Sequence, residues 1–113
     1  MAITTVAETP EFQRRARAIM SDEDRMAVID FIARNPTAGV SIGGGVRKVR
    51  FAREGGGKSG GYRVVHFYGG DDDMPVFLIT VFAKNEKANL TKAETETIKS
   101  LSKQLADSYR SAR

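Results

Sequence analysis

The sequence predicts an α+β fold: a small, twisted, mainly antiparallel sheet preceded by a helical hairpin and followed by one helix, in the order β-α-α-β-β-β-α. Three observations carry that expectation. Two stretches with apolar residues at helical spacing lie side by side near the N-terminus, each opened by a capping residue. Three runs rich in β-branched and aromatic residues follow, separated by glycine-rich turns. A last amphipathic stretch closes the chain behind a Thr-x-x-Glu capping box. The chain has 113 residues, enough for one core and too few for two, so residues 1–113 are expected to form a single domain.

Residues 3–6 are a short apolar run and read as a strand. Thr9-Pro10-Glu11 starts a helix, with Thr9 as cap and Pro10 in the first helical position, where its missing N–H costs nothing. Phe12, Ala16 and Ile19 then share one face. Ser21 and Asp24 form a variant capping box for a second helix bearing Val28, Ile29, Ile32 and Ala33, which Asn35-Pro36 stops. The link between the two helices is short, which implies an antiparallel hairpin. Residues 36–45 are loaded with glycine and read as a loop. Strands are expected over 46–51, 62–68 and 76–84, the last two joined by Gly69-Gly70-Asp71-Asp72-Asp73-Met74-Pro75. The three acids of that turn read as a solvated turn and not as a cation site. Thr91 and Glu94 open the final helix, on which Ile98, Leu101, Leu105 and Tyr109 fall on one face.

Composition narrows the function. Hydrophobic residues make up 41% of the chain and charged residues 28%, ordinary values for a folded protein. No apolar run approaches the roughly 20 residues that span a bilayer. The N-terminus lacks the basic-then-apolar layout of a signal peptide, so a cytoplasmic location is expected. There is no cysteine, which excludes disulfides and thiol catalysis. The only histidine, His66, alternates with Val64 and Tyr68 on a strand, and packing explains it better than catalysis. A zinc site has no ligand set, and no metal or cofactor is expected.

The charge is concentrated. Between positions 47 and 63 stand six basic residues, Arg47, Lys48, Arg50, Arg53, Lys58 and Arg63, against the single acid Glu54. That surplus of five exceeds the net charge of +4 for the whole chain. Positions 52–59 also satisfy a relaxed phosphate-loop pattern ending in Gly57-Lys58-Ser59. A nucleotide loop needs a helix after it, because the helix N-terminus holds the phosphates. Here a strand pattern follows, so the segment reads as a basic, glycine-rich hairpin loop facing a polyanion. Lys48 and Arg50 share a strand face by the period-two rule, Arg63 starts the next strand and Lys84 ends the one after. Hairpin connections would bring these ends together at one edge of the sheet. Such a cluster suits a phosphodiester and the added negative charge of its pentacovalent transition state.

The residues that carry a family resemblance are now in view: the TPEF helix start at 9–12, GGVRKVRFAREGGGKSGGYRVVHFY at 44–68, AKNEKANLTKAE at 83–94, and the final helix. Over nearly its whole length the chain resembles the RelE superfamily of toxins from type II toxin–antitoxin systems, closest to the HigB-type branch. The resemblance implies a RelE-like fold and a metal-independent endoribonuclease that cuts messenger RNA in the ribosomal decoding site. There the RNA's 2′-hydroxyl attacks its own 3′-phosphate, leaving a 2′,3′-cyclic phosphate, or its opened form, and a 5′-hydroxyl. It further implies that Arg63, in Gly-Tyr-Arg-Val, binds the scissile phosphate. Lys48 and Arg50 match strand cations given base and charge-stabilising roles, while Lys84 and the GKSGG-loop residue Lys58 complete the catalytic candidates. Arg47, Arg53, Asn85 and Lys87 are expected RNA contacts. The implied partners are the ribosome, messenger RNA and a cognate antitoxin of helix-turn-helix type. The aromatic residue that RelE-type chains carry after the last strand is Leu90 or Thr91 here, which leaves the general base unassigned. Two other readings suit the same fold: a ParE-like gyrase inhibitor, and a nucleic-acid-binding module without catalysis.

Overall fold

A computed structural model of the chain describes residues 3–52, 61–70, 73–84, 86–87 and 89–112. The described elements are β1 (Val6–Glu8), α1 (Pro10–Ile19), α2 (Asp22–Arg34), β2 (Val40–Gly43), β3 (Val46–Ala52), β4 (Gly61–Phe67), β5 (Val76–Ala83) and α3 (Lys92–Ser111). The strands form one sheet in the order β1-β5-β4-β3-β2. β1 runs parallel to β5, and the other pairings are antiparallel. The α+β class and the mainly antiparallel sheet are thus as expected, with one strand more.

That strand is β2, inside the region read as a loop. Gly44 and Gly45 have φ of +64° and +84°, the left-handed pair that a two-residue hairpin turn requires. The glycines therefore turn a hairpin. β2 escaped detection because Val40 is 65% exposed and the strand buries no residue fully, so it shows little alternation. β1 also begins later than residues 3–6. Thr4 N–H donates to the Ala33 carbonyl at the end of α2, and Val6 opens the parallel register opposite Val76.

Side chains set the helix starts as the sequence indicates. Thr9 and Ser21 accept from the Phe12 and Asp24 amides, and Thr91 with Glu94 makes a complete reciprocal box. Each cap contributes on the order of 1 kcal/mol. Two apolar layers flank the sheet. On one face Phe12 and Ala16 of α1 and Val28 and Ile32 of α2 pack against Val49, Tyr62, Val64, Leu78 and Val81. On the other, Ile98 and Ala106 of α3 pack against Val46, Val65, Phe67, Ile79 and Phe82. The buried stripe of α3 is Ile98, Ser102 and Ala106, with Leu105 and Tyr109 at its margin and Leu101 38% exposed. Small residues at four-residue spacing let α3 lie close to the sheet. The Ser102 hydroxyl is satisfied by donating to the Ile98 carbonyl at 2.8 Å.

Candidate active site

Strand alternation decides which charges meet. Along β3, Val46, Lys48 and Arg50 share the α3 face, and exposure rises along that row: Val46 is buried, Lys48 half-buried, Arg50 exposed. Arg50 stands directly opposite Arg63 on β4, and Arg63 in turn stands opposite Phe82 on β5. The chain neighbour of Arg63, Tyr62, points the other way. Its hydroxyl donates to the Ile19 carbonyl at 3.0 Å and lies 3.2 Å from Asp24 Oδ2, tying β4 to the junction between α1 and α2. One side chain of the Tyr62-Arg63 pair anchors the strand, so the other is presented from a fixed backbone.

The β5–α3 turn closes the site. Lys84 follows the strand, and its N–H extends the ladder by donating to the Gly61 carbonyl at 3.0 Å. Lys87 Nζ lies 5.1 Å from the Phe82 ring centroid and pairs with Glu94. Lys48 Nζ donates to Asn89 Oδ1 at 2.5 Å, joining β3 to the same turn. The Lys87 hydrogen bond, with help from the Thr91 amide, holds the Glu94 carboxyl below the usual carboxylate range.

Electrostatics marks the Arg50–Arg63 pair. Partial desolvation, and after it the charge of Arg50, lowers the Arg63 guanidinium from its ordinary value. Among the described residues, Arg50, Arg63 and Lys84 have no acidic partner. Two like charges held face to face, without a carboxylate between them, form a receptor for an anion with several oxygens. The structure therefore brings Lys48, Arg50, Arg63, Lys84 and Lys87 to one end of the sheet, across three central strands and not along a lateral edge.

Other expected residues fall elsewhere. Arg47 lies on the opposite sheet face, donating to the Gly39 carbonyl at 3.2 Å, so it does not join the cluster. Arg53, Lys58 and Asn85 lie outside the described residues, as do Asp71 and Asp72. β4 begins at Gly61, so a strand does follow the phosphate-loop pattern. His66 is fully buried on the α1/α2 face, where its Nε2–H donates to the Pro36 carbonyl at 2.9 Å. Burial lowers its pKa. Asn89, which holds Lys48, was not singled out from sequence, although the AKNEKANL motif contains it. A groove of 510 Å3 between α1, β5 and α3 shares Phe82 and Lys87 with the cluster but is not lined by Arg50 or Arg63.

A family model described as the RelE toxin of the RelE / RelB toxin-antitoxin system matches residues 4–112. The chain belongs to the RelE toxin family. Toxins of this family pair with an antitoxin and are in general endoribonucleases that inhibit translation. In this RelE-family chain the cationic end of the sheet is where the described residues could hold an RNA phosphate. Among the described residues, no helix is long and apolar enough to cross a membrane.

Proposed function

We propose that the chain is a ribosome-dependent messenger RNA endoribonuclease of the HigB-like branch, a single-domain toxin that works in the cytoplasm and is neutralised by a helix-turn-helix antitoxin. The observation that carries this reading is the Arg50–Arg63 cross-strand pair on β3 and β4, two cations without an acidic partner among the described residues. Arg63 holds the scissile phosphate. Arg50 and Lys48 stabilise the charge that builds up as the 2′-hydroxyl attacks, and Lys84, with Lys58 of the GKSGG loop, neutralises flanking phosphates. The cations supply the charge stabilisation that a metal provides in other nucleases. Holding the 2′-hydroxyl in line with the leaving oxygen supplies much of the acceleration. The ribosome, by ordering the message, then forms part of the active site.

The test is to induce the protein in cells and map 5′ ends on one transcript, beside a copy with a disabled start codon. New ends confined to the translated copy, and lost in Arg63→Ala, are expected. Growth arrest without new ends, or full toxicity of Arg63→Ala, would overturn the reading and favour gyrase inhibition or simple RNA binding.

A further inference from the structure

We propose that Arg15 and Glu86, neither of which faces Arg63, are positioning residues: their ion pair locks the turn that presents Lys84 and Lys87 to the phosphate. The inference rests on the endoribonuclease reading above and extends it to residues outside the cationic face.

One edge of β5 is open. β1 pairs with β5 only as far as Glu8 opposite Leu78, so among the described residues no strand flanks β5 on that side from Ile79 onward. Side chains take the place of the missing neighbour. The Thr9 hydroxyl lies 2.9 Å from the Leu78 carbonyl and 3.0 Å from that of Ile79. Next along the edge, Arg15 Nε donates to the Val81 carbonyl at 3.3 Å. One residue further on that edge, Glu86 Oε1 accepts from the Ala83 N–H at 3.4 Å. Arg15 Nη2 and Glu86 Oε2 then pair with each other across 71 positions of sequence. An arginine from α1 and a glutamate from the turn thus provide the donor and the acceptor that a strand would have provided.

What the pair encloses is the beginning of the turn. Glu86 and Lys87 N–H groups both donate to the Ala83 carbonyl, at 3.0 and 3.3 Å, so Ala83 is the pivot of the turn and Glu86 grips it from both ends. Lys84 and Lys87 flank Glu86, and Lys87 is fixed a second time by Glu94. The Arg15 hydrogen bond holds the Glu86 carboxyl below the usual carboxylate range, so the pair stays charged under all physiological conditions. A partly exposed ion pair adds little to global stability. Its consequence is local: it fixes the height and direction of two cations that must meet a phosphate to within an ångström.

The experiment measures single-turnover cleavage of a ribosome-bound transcript by the full chain, with the toxin concentration that half-saturates the rate and the thermal midpoint. The proteins are wild type, Arg15→Ala, Glu86→Ala, the double variant, Glu86→Gln, and Arg34→Ala as an exposed ion-pair control. Arg15→Ala and Glu86→Ala are each expected to slow cleavage about 10- to 100-fold, the effect of displacing reacting groups by about an ångström. The double variant should be no slower than the slower single one, because the two residues act as a unit. Half-saturation and thermal midpoint should stay near wild type. Glu86→Gln keeps one acceptor for the Ala83 N–H but loses the ion pair with Arg15, so it should stay well below the wild-type rate. A wild-type rate in Glu86→Gln would overturn the proposal. Full-rate single variants, independent multiplying losses in the double, or a rate loss that follows a lowered thermal midpoint would overturn the proposal. A wild-type protein that does not cut would refute the endoribonuclease reading instead. The lock is then read separately, from amide exchange at Glu86 and Lys87: faster exchange in Arg15→Ala supports it, and unchanged exchange overturns it.

Discussion

Replacing Arg63 with glutamine should stabilise the fold while removing the proposed activity. Arg63 faces Arg50 across β3 and β4, is partly desolvated, and has no acidic partner among the described residues. With the two charges about 6 Å apart and an effective dielectric of about 50, unscreened repulsion is about 1.1 kcal/mol. Screening at a Debye length of about 10 Å leaves about 0.6 kcal/mol in 0.1 M salt, and one of about 3 Å leaves about 0.15 kcal/mol in 1 M salt. For a chain of this size, 0.6 kcal/mol corresponds to a rise of about 2–4 °C in thermal midpoint. The assay is thermal unfolding of wild type and Arg63→Gln at both salt concentrations. Arg47→Gln on the opposite face serves as a control that should show no such gain. A lower midpoint for Arg63→Gln at 0.1 M salt, or a gain independent of salt, would refute the claim that the pair is held together against repulsion.

Acid should weaken the fold through His66. Its folded pKa lies below the ordinary 6.5 because of burial, so in the window beneath 6.5 the unfolded chain binds the extra proton. Stability should be level in this respect above pH 6.5 and fall by up to about 1.4 kcal/mol per pH unit below it, until the folded pKa is reached. Urea midpoints between pH 7.5 and 5 measure this, and His66→Gln should flatten the slope. Gly39→Ala should be among the most damaging single-methyl additions. Gly39 has φ +91°, and its Cβ would stand 2.4 Å from the Lys48 carbonyl oxygen. Gly70→Ala, with φ +76° and open space around it, should cost only the backbone penalty of about 1 kcal/mol, and urea unfolding of the two variants separates the effects.

How much was legible in the sequence follows from the range of the forces involved. Caps, helix stops and the strands β3, β4 and β5 were readable because Thr9, Ser21, Thr91 and the β-branched runs act within a few residues. β2 was not, because its neighbours and not its own pattern make it a strand: Val40 is exposed, and the strand exists through pairing with Lys48 and Arg47. On α3 the apolar residues suggested Leu101 as core, yet small Ser102 and Ala106 take the buried positions, a choice that depends on the distance to the sheet. The shared face of Lys48 and Arg50 followed from alternation, as did its expected meeting with Arg63. Arg47 could be placed on the far face by the same rule. The Arg15–Glu86 pair spans 71 positions and became visible only with the fold.

The two faces of the sheet explain how so small a fold can carry five cations together. The α1/α2 face is filled with apolar side chains and a neutral histidine, and with Tyr62 it holds the central strand in place. The opposite face is covered by α3 at Val46, Val65 and Phe67, but cover thins toward Arg50, where water solvates the charges. Had α3 extended over Arg63, desolvating unpaired guanidiniums would have cost several kcal/mol and required carboxylate partners. Those partners would then compete with any phosphate. Starting the helix behind the Thr91 cap, after a turn that brings Lys84, Lys87 and Asn89 round the margin, leaves Arg50, Arg63 and Lys84 without an acidic partner among the described residues, while Lys87 pairs with Glu94. The repulsion that remains between Arg50 and Arg63 is small enough for the apolar layers to offset, and a bound phosphate would turn it into attraction.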